Sequence, residues 1–177
     1  TIVARWTGTT GTSQYRLRLE GTGDVVWEVS NGSSVENAQT DTALSVSTVY
    51  VISGSWSAAN GLKIQVWSSA GVLLQTKTAS TSLSTLNSST TPSTTIGAEH
   101  GGSDFFTGQI SYVMYKDAEV TATTLPTFQL DDDIQGLWRG ALDATPKLID
   151  YSYPGNSQNA NHMTPTSLAT SDYSNVC

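Results

Sequence analysis

The fold is decided by residues 14–30, which read QYRLRLEGTGDVVWEVS. In residues 14–20 the apolar Tyr15, Leu17 and Leu19 alternate with charged side chains, which is the period of a strand with one buried face. A turn cluster follows at 21–24, and the residues after it, VVWEV, lead the chain back. Residues 14–30 therefore predict a β-hairpin.

A second group of strands is predicted further along the chain. The alternating segments are TVYVISGSW at 48–56 and LKIQVW at 62–67, which are joined by the turn sequence AANG. The turn sequence SSAG at 68–71 then leads into VLLQT, the next strand. Gly54 lies within the first of these strands, where a glycine indicates a bulge or a close approach of another group.

The next part of the chain is rich in hydroxyl side chains. Residues 78–95 predict a long loop or a weakly specified strand, and residues 94–99 and 105–115 predict two more strands joined by Gly101-Gly102. No segment shows a sustained helical period. Several short strands with turn signals between them predict an all-β, antiparallel sandwich or barrel.

Composition and charge exclude several classes of protein. Of the 177 residues 26 are Thr and 24 are Ser, 13% are charged, and the formal net charge is -7. Without a basic stripe we expect no binding to nucleic-acid phosphates and none to anionic membranes. No apolar run reaches the roughly 20 residues that a bilayer-spanning helix needs. The single cysteine, Cys177, leaves no intrachain disulfide and no cysteine-based metal site.

The composition changes near Pro126, where the density of Ser and Thr falls and the acidic run Asp131–Asp133 follows. We therefore predict a β-sandwich over residues 1–125 and a C-terminal extension over residues 126–177.

The order of segments in residues 1–125 resembles the laminin-G-like domain of the concanavalin A-like lectin/glucanase superfamily. The matching positions are Tyr50, Gly61, Trp67, Gly71, Ile96, Gly97, Phe106, Gly108, Ile110, Val113 and Tyr115. The resemblance implies a jelly roll of two antiparallel sheets. The segment that opens such domains is absent from residues 1–13, but GLWRG at 136–140, followed by Asp150 and Asn156, resembles it, so the order is rotated.

The rotated order leaves a sandwich that lacks its opening strands, and unpaired sheet edges invite pairing with another strand. Residues 134–151 are the candidate replacement, and their apolar side chains for insertion are Leu137, Trp138, Leu148 and Ile149. The segment either folds back on its own domain, as in a circular permutant, or docks on a neighbouring copy. We favour docking, which gives a ring or a filament. A third alternative is one slice of a tandem array.

An enzyme of the glucanase branch needs a closely spaced Glu-x-Asp-x-x-Glu strand motif, and this sequence has none. Glu20 and Glu28 each stand alone on a strand and are expected to lie on the solvent face. We therefore predict that the chain is not an enzyme, and a glycoside hydrolase is the least favoured function.

Two kinds of ligand are considered. Calcium prefers carboxylate and carbonyl oxygens, and its candidate ligands are Asp131, Asp132, Asp150 and Asn156; a solvated acidic loop is the alternative. A sugar needs an exposed aromatic side chain with polar groups beside it. The candidates are Trp56, Trp67, Tyr151 and Tyr153, and burial in the sandwich is the alternative for each.

Three functions of different class follow. The first is a structural or adhesive subunit of an extracellular, cell-surface or virion assembly, which has copies of itself or neighbouring repeats as partners. The second is a carbohydrate-binding module of a larger secreted or surface protein. The third is the glycoside hydrolase.

Overall fold

The computed structural model of the chain describes residues 1–89, 91–116, 134–141 and 147–150. In these residues all regular structure is β-strand, as predicted. None of them forms a helix of the length and apolarity that crossing a membrane requires. The strands are β1 Val3–Arg5, β2 Tyr15–Leu19, β3 Val25–Ser30, β4 Val35–Gln39, β5 Tyr50–Ser57, β6 Gly61–Ser68, β7 Leu73–Ala79, β8 Thr95–Ile96, β9 Tyr112–Lys116, β10 Ile134–Ala141 and β11 Lys147–Asp150.

The described residues up to 108 belong to one compact unit, and those from 109 onward belong to a second. The first unit contains a five-stranded antiparallel sheet in the order β4-β3-β2-β1-β8 and a three-stranded antiparallel sheet in the order β5-β6-β7. The hairpin predicted over residues 14–30 is confirmed, with Leu17 opposite Trp27 and Arg16 opposite Glu28.

The two sheets of the first unit face each other across an apolar core, which gives the unit the character of a β-sandwich. The core receives every second side chain of the paired strands, because strand side chains alternate between faces. Its buried members are Tyr15, Leu17, Val25, Trp27, Val29, Ala38, Leu62, Ile64, Val66 and Leu83. The indole nitrogen of Trp27 donates a hydrogen bond across the core to the carbonyl oxygen of Ser55, at 3.1 Å.

Gly54 marks a close approach of the two sheets. A Cβ atom at this position would lie 2.5 Å from Cδ2 of Trp27, so only glycine leaves room for the indole ring. The β5–β6 register runs through Gly54 without a shift. Of the two alternatives predicted for this glycine, the structure therefore shows the close approach and not the bulge.

Residues 80–89 and 91–94 form a loop, as the first of the two sequence alternatives predicted. Leu83 of this loop enters the core. Asn87 fastens the loop to the connection between β1 and β2, because its Nδ2 donates to the carbonyl oxygens of Gly11 and Ser13, both at 3.0 Å. The hydroxyl-rich loop is thus held to the sandwich by one core side chain and by the hydrogen bonds of Asn87.

The strands predicted at 94–99 and 105–115 are shorter than expected. Only Thr95–Ile96 and Tyr112–Lys116 are extended ladders. Residues 97–106 instead form a turn-rich segment, called the flap from here on. The backbones of Gly97, Gly101 and Gly102 have φ values between 76° and 88°, which end a β-ladder.

The second unit contains a three-stranded antiparallel sheet in the order β11-β10-β9. The sequence placed β9 with residues 1–125, whereas the structure pairs it with β10. Residues 134–141 pair with β9 and with residues 147–150 of the same chain. Fold-back of this segment as the opening strands of the sandwich over residues 1–125 stays a prediction. Docking of the same segment on a neighbouring copy stays a prediction.

Candidate functional site

The densest group of charged side chains in the first unit lies on the outer face of the five-stranded sheet, the face turned away from the core. Arg16 and Arg18 point there from β2 because they alternate with the core residues Tyr15 and Leu17. Glu28 stands directly opposite Arg16 on β3. The register of the hairpin therefore brings one carboxylate between two guanidinium groups.

Both arginines bind the same carboxylate oxygen. Glu28 Oε2 accepts hydrogen bonds from Nε of Arg16 at 2.5 Å and from Nε of Arg18 at 2.7 Å. Glu28 is 7% exposed. Burial alone would raise the pKa of the Glu28 carboxyl, but the hydrogen bonds and charges of Arg16 and Arg18 outweigh it and hold that pKa below its usual value.

The flap packs against this group at Arg16. Glu99, which is buried, binds the Nη1 of Arg16, and the guanidinium carbon of Arg16 lies 4.6 Å from the ring centroid of Trp6. The backbone nitrogen of His100 donates to the carbonyl oxygen of Trp6 at 3.2 Å. Arg16 is thus enclosed by two carboxylates and an aromatic ring. We call Arg16, Arg18, Glu28 and Glu99 the charged lattice.

The position of Glu28 corrects an expectation from the sequence. Glu28 was expected on a solvent face, but it is buried, with the guanidinium groups of Arg16 and Arg18 against its carboxylate. Glu20 does remain partly exposed, and it binds Nη1 of Arg18. Alternation of side chains shows which residues share a face, but it does not show whether that face is covered.

The charged lattice is suited to holding the flap and the hairpin together. A general acid in glycoside hydrolysis needs a carboxyl with a raised pKa, and the pKa of Glu28 is lowered. Its carboxylate is occupied by two arginines, and a third ion pair fastens the flap through Glu99. The arrangement therefore acts as a clamp on the outer face of the sheet.

The candidate sugar-binding residues differ in their surroundings. Trp67 is fully buried, so the expectation that it forms an exposed platform is wrong. Its strand, β6, is the central strand of the three-stranded sheet and has buried side chains on both faces. Trp56 is half-buried, and its indole nitrogen donates to Thr81 Oγ1 at 3.3 Å. Tyr151 and Tyr153 lie outside the described residues.

The candidate calcium ligands are not brought together in the described part of the chain. Asp131, Asp132 and Asn156 lie outside it, and Asp150 is the last residue of β11, opposite Trp138 in the β10 ladder. Within the described ranges no group of three or more His, Cys, Asp or Glu is placed to hold a metal ion. The calcium site stays a prediction.

The four residues proposed for docking lie on paired strands. Leu137 and Trp138 are in β10, opposite Met114 and Val113 of β9, and Leu148 and Ile149 are in β11.

Two exposed apolar features escaped the sequence interpretation. One is Phe105 in the flap, which is 67% exposed. The other is a group of four aliphatic side chains at one end of the three-stranded sheet, each between 49% and 91% exposed; they are Val46, Val49, Val72 and Leu74. We call this group the apolar end. In the sequence both features are apolar residues beside a turn. That position does not show whether an apolar side chain is buried or exposed.

Comparison of the chain with protein-family models, with curated proteins and with solved structures finds no match. The resemblance to laminin-G-like domains is therefore carried by the quoted residues alone.

Proposed function

We propose that this chain is a non-catalytic structural or adhesive subunit of an extracellular, cell-surface or virion assembly, which contacts further copies of itself through the apolar end. The sandwich is proposed to be a jelly roll of the concanavalin A-like type. The observation that carries the proposal is the apolar end, because several exposed apolar side chains at one end of a sheet mark a contact with another molecule.

The four side chains of the apolar end share one end of the three-stranded sheet. Val49 directly precedes Tyr50, which stands opposite Ser68 in the β5–β6 ladder. The nitrogen of Ser68 donates to the carbonyl oxygen of Val72 at 2.9 Å, which places the β6–β7 turn beside the same ladder end. The nitrogen of Ser45 donates to the Tyr50 hydroxyl at 3.1 Å and holds the loop before β5 there.

Charge explains why copies would meet at this surface. A chain with a net charge of -7 repels its own copies, so association is least opposed where no charge is present. Residues 42–62 and 64–76 contain no Asp, Glu, Lys or Arg. Lys77 and Asp41, which flank this region, form an ion pair of 2.7 Å and neutralise each other.

The charged lattice supports the absence of catalysis in this proposal. Its carboxylates are held by arginines, and the pKa of Glu28 is shifted away from what a general acid requires. A carbohydrate-binding module is the second candidate, and the exposed Phe105 is the observation that favours it.

The test is the mass of the chain in solution after Val46→Asp and Val49→Asp are introduced together. Both side chains are exposed, so the sandwich is expected to stay folded while the assembly dissociates. Val35→Asp is the matched control, since Val35 is an exposed valine, 39% accessible, on β4 of the other sheet. Equal masses for the double variant, the control and the unmodified chain would overturn the proposal.

A further inference from the structure

The sequence contains two Asn-x-Ser sequons, the acceptor motif of N-linked glycosylation. One is Asn31-Gly32-Ser33, in the turn between β3 and β4, and the other is Asn87-Ser88-Ser89, in the hydroxyl-rich loop. In a chain with 24 Ser and 26 Thr such triplets arise easily by chance, so the triplet alone assigns no modification. A glycan also needs an asparagine amide nitrogen that the folded chain leaves in solvent.

The side chain of Asn31 is exposed, and within the described part of the chain it bonds through its oxygen alone. Its Oδ1 accepts hydrogen bonds from the backbone nitrogens of Ser33 at 2.9 Å and Ser34 at 2.8 Å. A sugar attached to Nδ2 therefore leaves both hydrogen bonds of the turn in place. Ser33, whose hydroxyl completes the sequon, is exposed as well.

Asn87 has the opposite surroundings. It is buried, and its Nδ2 donates to the carbonyl oxygens of Gly11 and Ser13, both at 3.0 Å. An amide nitrogen carries two hydrogens, and an N-glycosidic bond replaces one of them. A glycan on Asn87 would leave one of the two carbonyl oxygens without its donor and would place a sugar ring in a buried position. The fold therefore excludes a glycan at Asn87.

The two sequons lie against each other. A Cβ atom at Gly32 would lie 3.3 Å from both Cγ and Nδ2 of Asn87, so the backbone of the first sequon packs on the amide of the second. The Asn87 nitrogen also donates to the carbonyl oxygen of Ser30 at 2.8 Å. A sugar on Asn87 would displace the β3–β4 turn, whereas a sugar on Asn31 extends from that turn into solvent.

Asn31 and the apolar end lie at opposite ends of β3. The Leu44 nitrogen donates to the carbonyl oxygen of Gly23 at 2.9 Å, which holds the connection leading to Val46 beside the turn that precedes β3. Asn31 directly follows the other end of β3, whose six residues span roughly 20 Å at about 3.3 Å per residue. A glycan at Asn31 therefore leaves the apolar end accessible to further copies.

From this geometry we infer that Asn31 is an N-glycosylation site and that Asn87 is not. The transfer forms a bond between Nδ2 of Asn31 and C1 of an oligosaccharide, and it breaks the bond between C1 and the pyrophosphate of a polyprenyl-pyrophosphate donor. The polyprenyl pyrophosphate leaves with the electron pair of the broken bond, and Nδ2 gives one proton to a base of the transferase. The inference rests on the extracellular placement in the proposed function and adds a covalent modification to it.

The experiment expresses the full chain behind a cleavable secretion signal in a eukaryotic cell and recovers it from both the medium and the cell extract. Digestion of the denatured chain with peptide-N-glycosidase in heavy-oxygen water converts each occupied asparagine to a labelled aspartate, which peptide mass spectrometry reads site by site. We expect the label at Asn31, and we expect none at Asn87 in the secreted chain. Asn31→Gln and Ser33→Ala are each expected to lose the mass of one oligosaccharide.

The matched control is Ser89→Ala, which destroys the second sequon without changing Asn87 and is expected to retain the glycan. A chain without label at Asn31 would overturn the inference, and so would secreted, folded chain with label at Asn87. Sedimentation of the same material separates this inference from the proposed function. A glycan at Asn31 on a chain that does not associate contradicts the assembly alone, and an unmodified Asn31 on a chain that associates contradicts the glycosylation site alone.

Discussion

Replacing Glu28 with Gln tests whether the charged lattice is a structural clamp. The variant removes the charge from a carboxylate that accepts from Arg16 and Arg18 and is 7% exposed, while nearly preserving its shape. Removing one partner from a fully buried ion pair costs about 3–5 kcal/mol. Arg16 keeps Glu99 and Arg18 keeps Glu20, so we expect a smaller loss of about 2–3 kcal/mol in the free energy of unfolding.

The assay is urea denaturation followed by tryptophan fluorescence, with Glu20→Gln as the matched control. Glu20 is partly exposed and binds a single arginine, so its loss is expected to cost less than about 1 kcal/mol. A Glu28→Gln variant within about 0.5 kcal/mol of the unmodified chain would refute the clamp, because that is the usual range for surface substitutions.

The lowered pKa of Glu28 also predicts how the stability of the chain depends on pH. The pKa of Glu28 is lower in the folded chain than in the unfolded chain, so its contribution to stability is present above the unfolded pKa and is lost as pH falls through the folded pKa. The difference in the free energy of unfolding between the unmodified chain and Glu28→Gln should therefore become smaller below about pH 4.3, the ordinary glutamate pKa. If that difference in the free energy of unfolding stays constant down to the pKa of Glu28 in the folded chain, the lowered pKa of Glu28 is contradicted.

Two further substitutions test the packing of the sandwich by the same denaturation assay. Gly54→Ala is expected to cost about 1–3 kcal/mol because its Cβ would meet the Trp27 ring, whereas a Cβ at the control Gly21 has no atom within 4 Å and Gly21→Ala should be nearly neutral. Asn87→Ala is expected to cost about 1–3 kcal/mol, since the carbonyl oxygens of Gly11 and Ser13 lose their donor, while the exposed Ser88→Ala should change little. Equal stability of each variant and its control would contradict the corresponding contact.

The strands that could be predicted are those whose signal is local. Residues 14–30 show period two on both sides of a turn, and the Asn60-Gly61 pair marks the β5–β6 hairpin. β4 has no such signal, because VENAQ contains one core side chain, Ala38, between polar neighbours. The position of β4 in the sheet is set by its backbone pairing with β3, and the pattern of apolar residues in the sequence does not predict that pairing.

The candidate site was less accessible to sequence reasoning because it depends on contacts between distant segments. The pairing of Arg16 with Glu28 follows from the hairpin register, but the second carboxylate bound to Arg16, that of Glu99, comes from the distant flap. Trp67 follows the core residue Val66 and so lies on the opposite face of β6, and its burial depends on what covers that face, which the period of the strand does not show. Phe105 was predicted within a strand, but it lies in the turn-rich flap and is exposed.

The most direct test of the proposed assembly function is sedimentation velocity of the unmodified chain over a wide range of concentrations. One chain has a mass of 18.8 kDa. If copies associate through the apolar end, the mass rises above that of one chain as concentration increases, and the Val46→Asp, Val49→Asp double variant stays at 18.8 kDa. A mass of 18.8 kDa for the unmodified chain at every concentration would contradict self-association as the basis of its function.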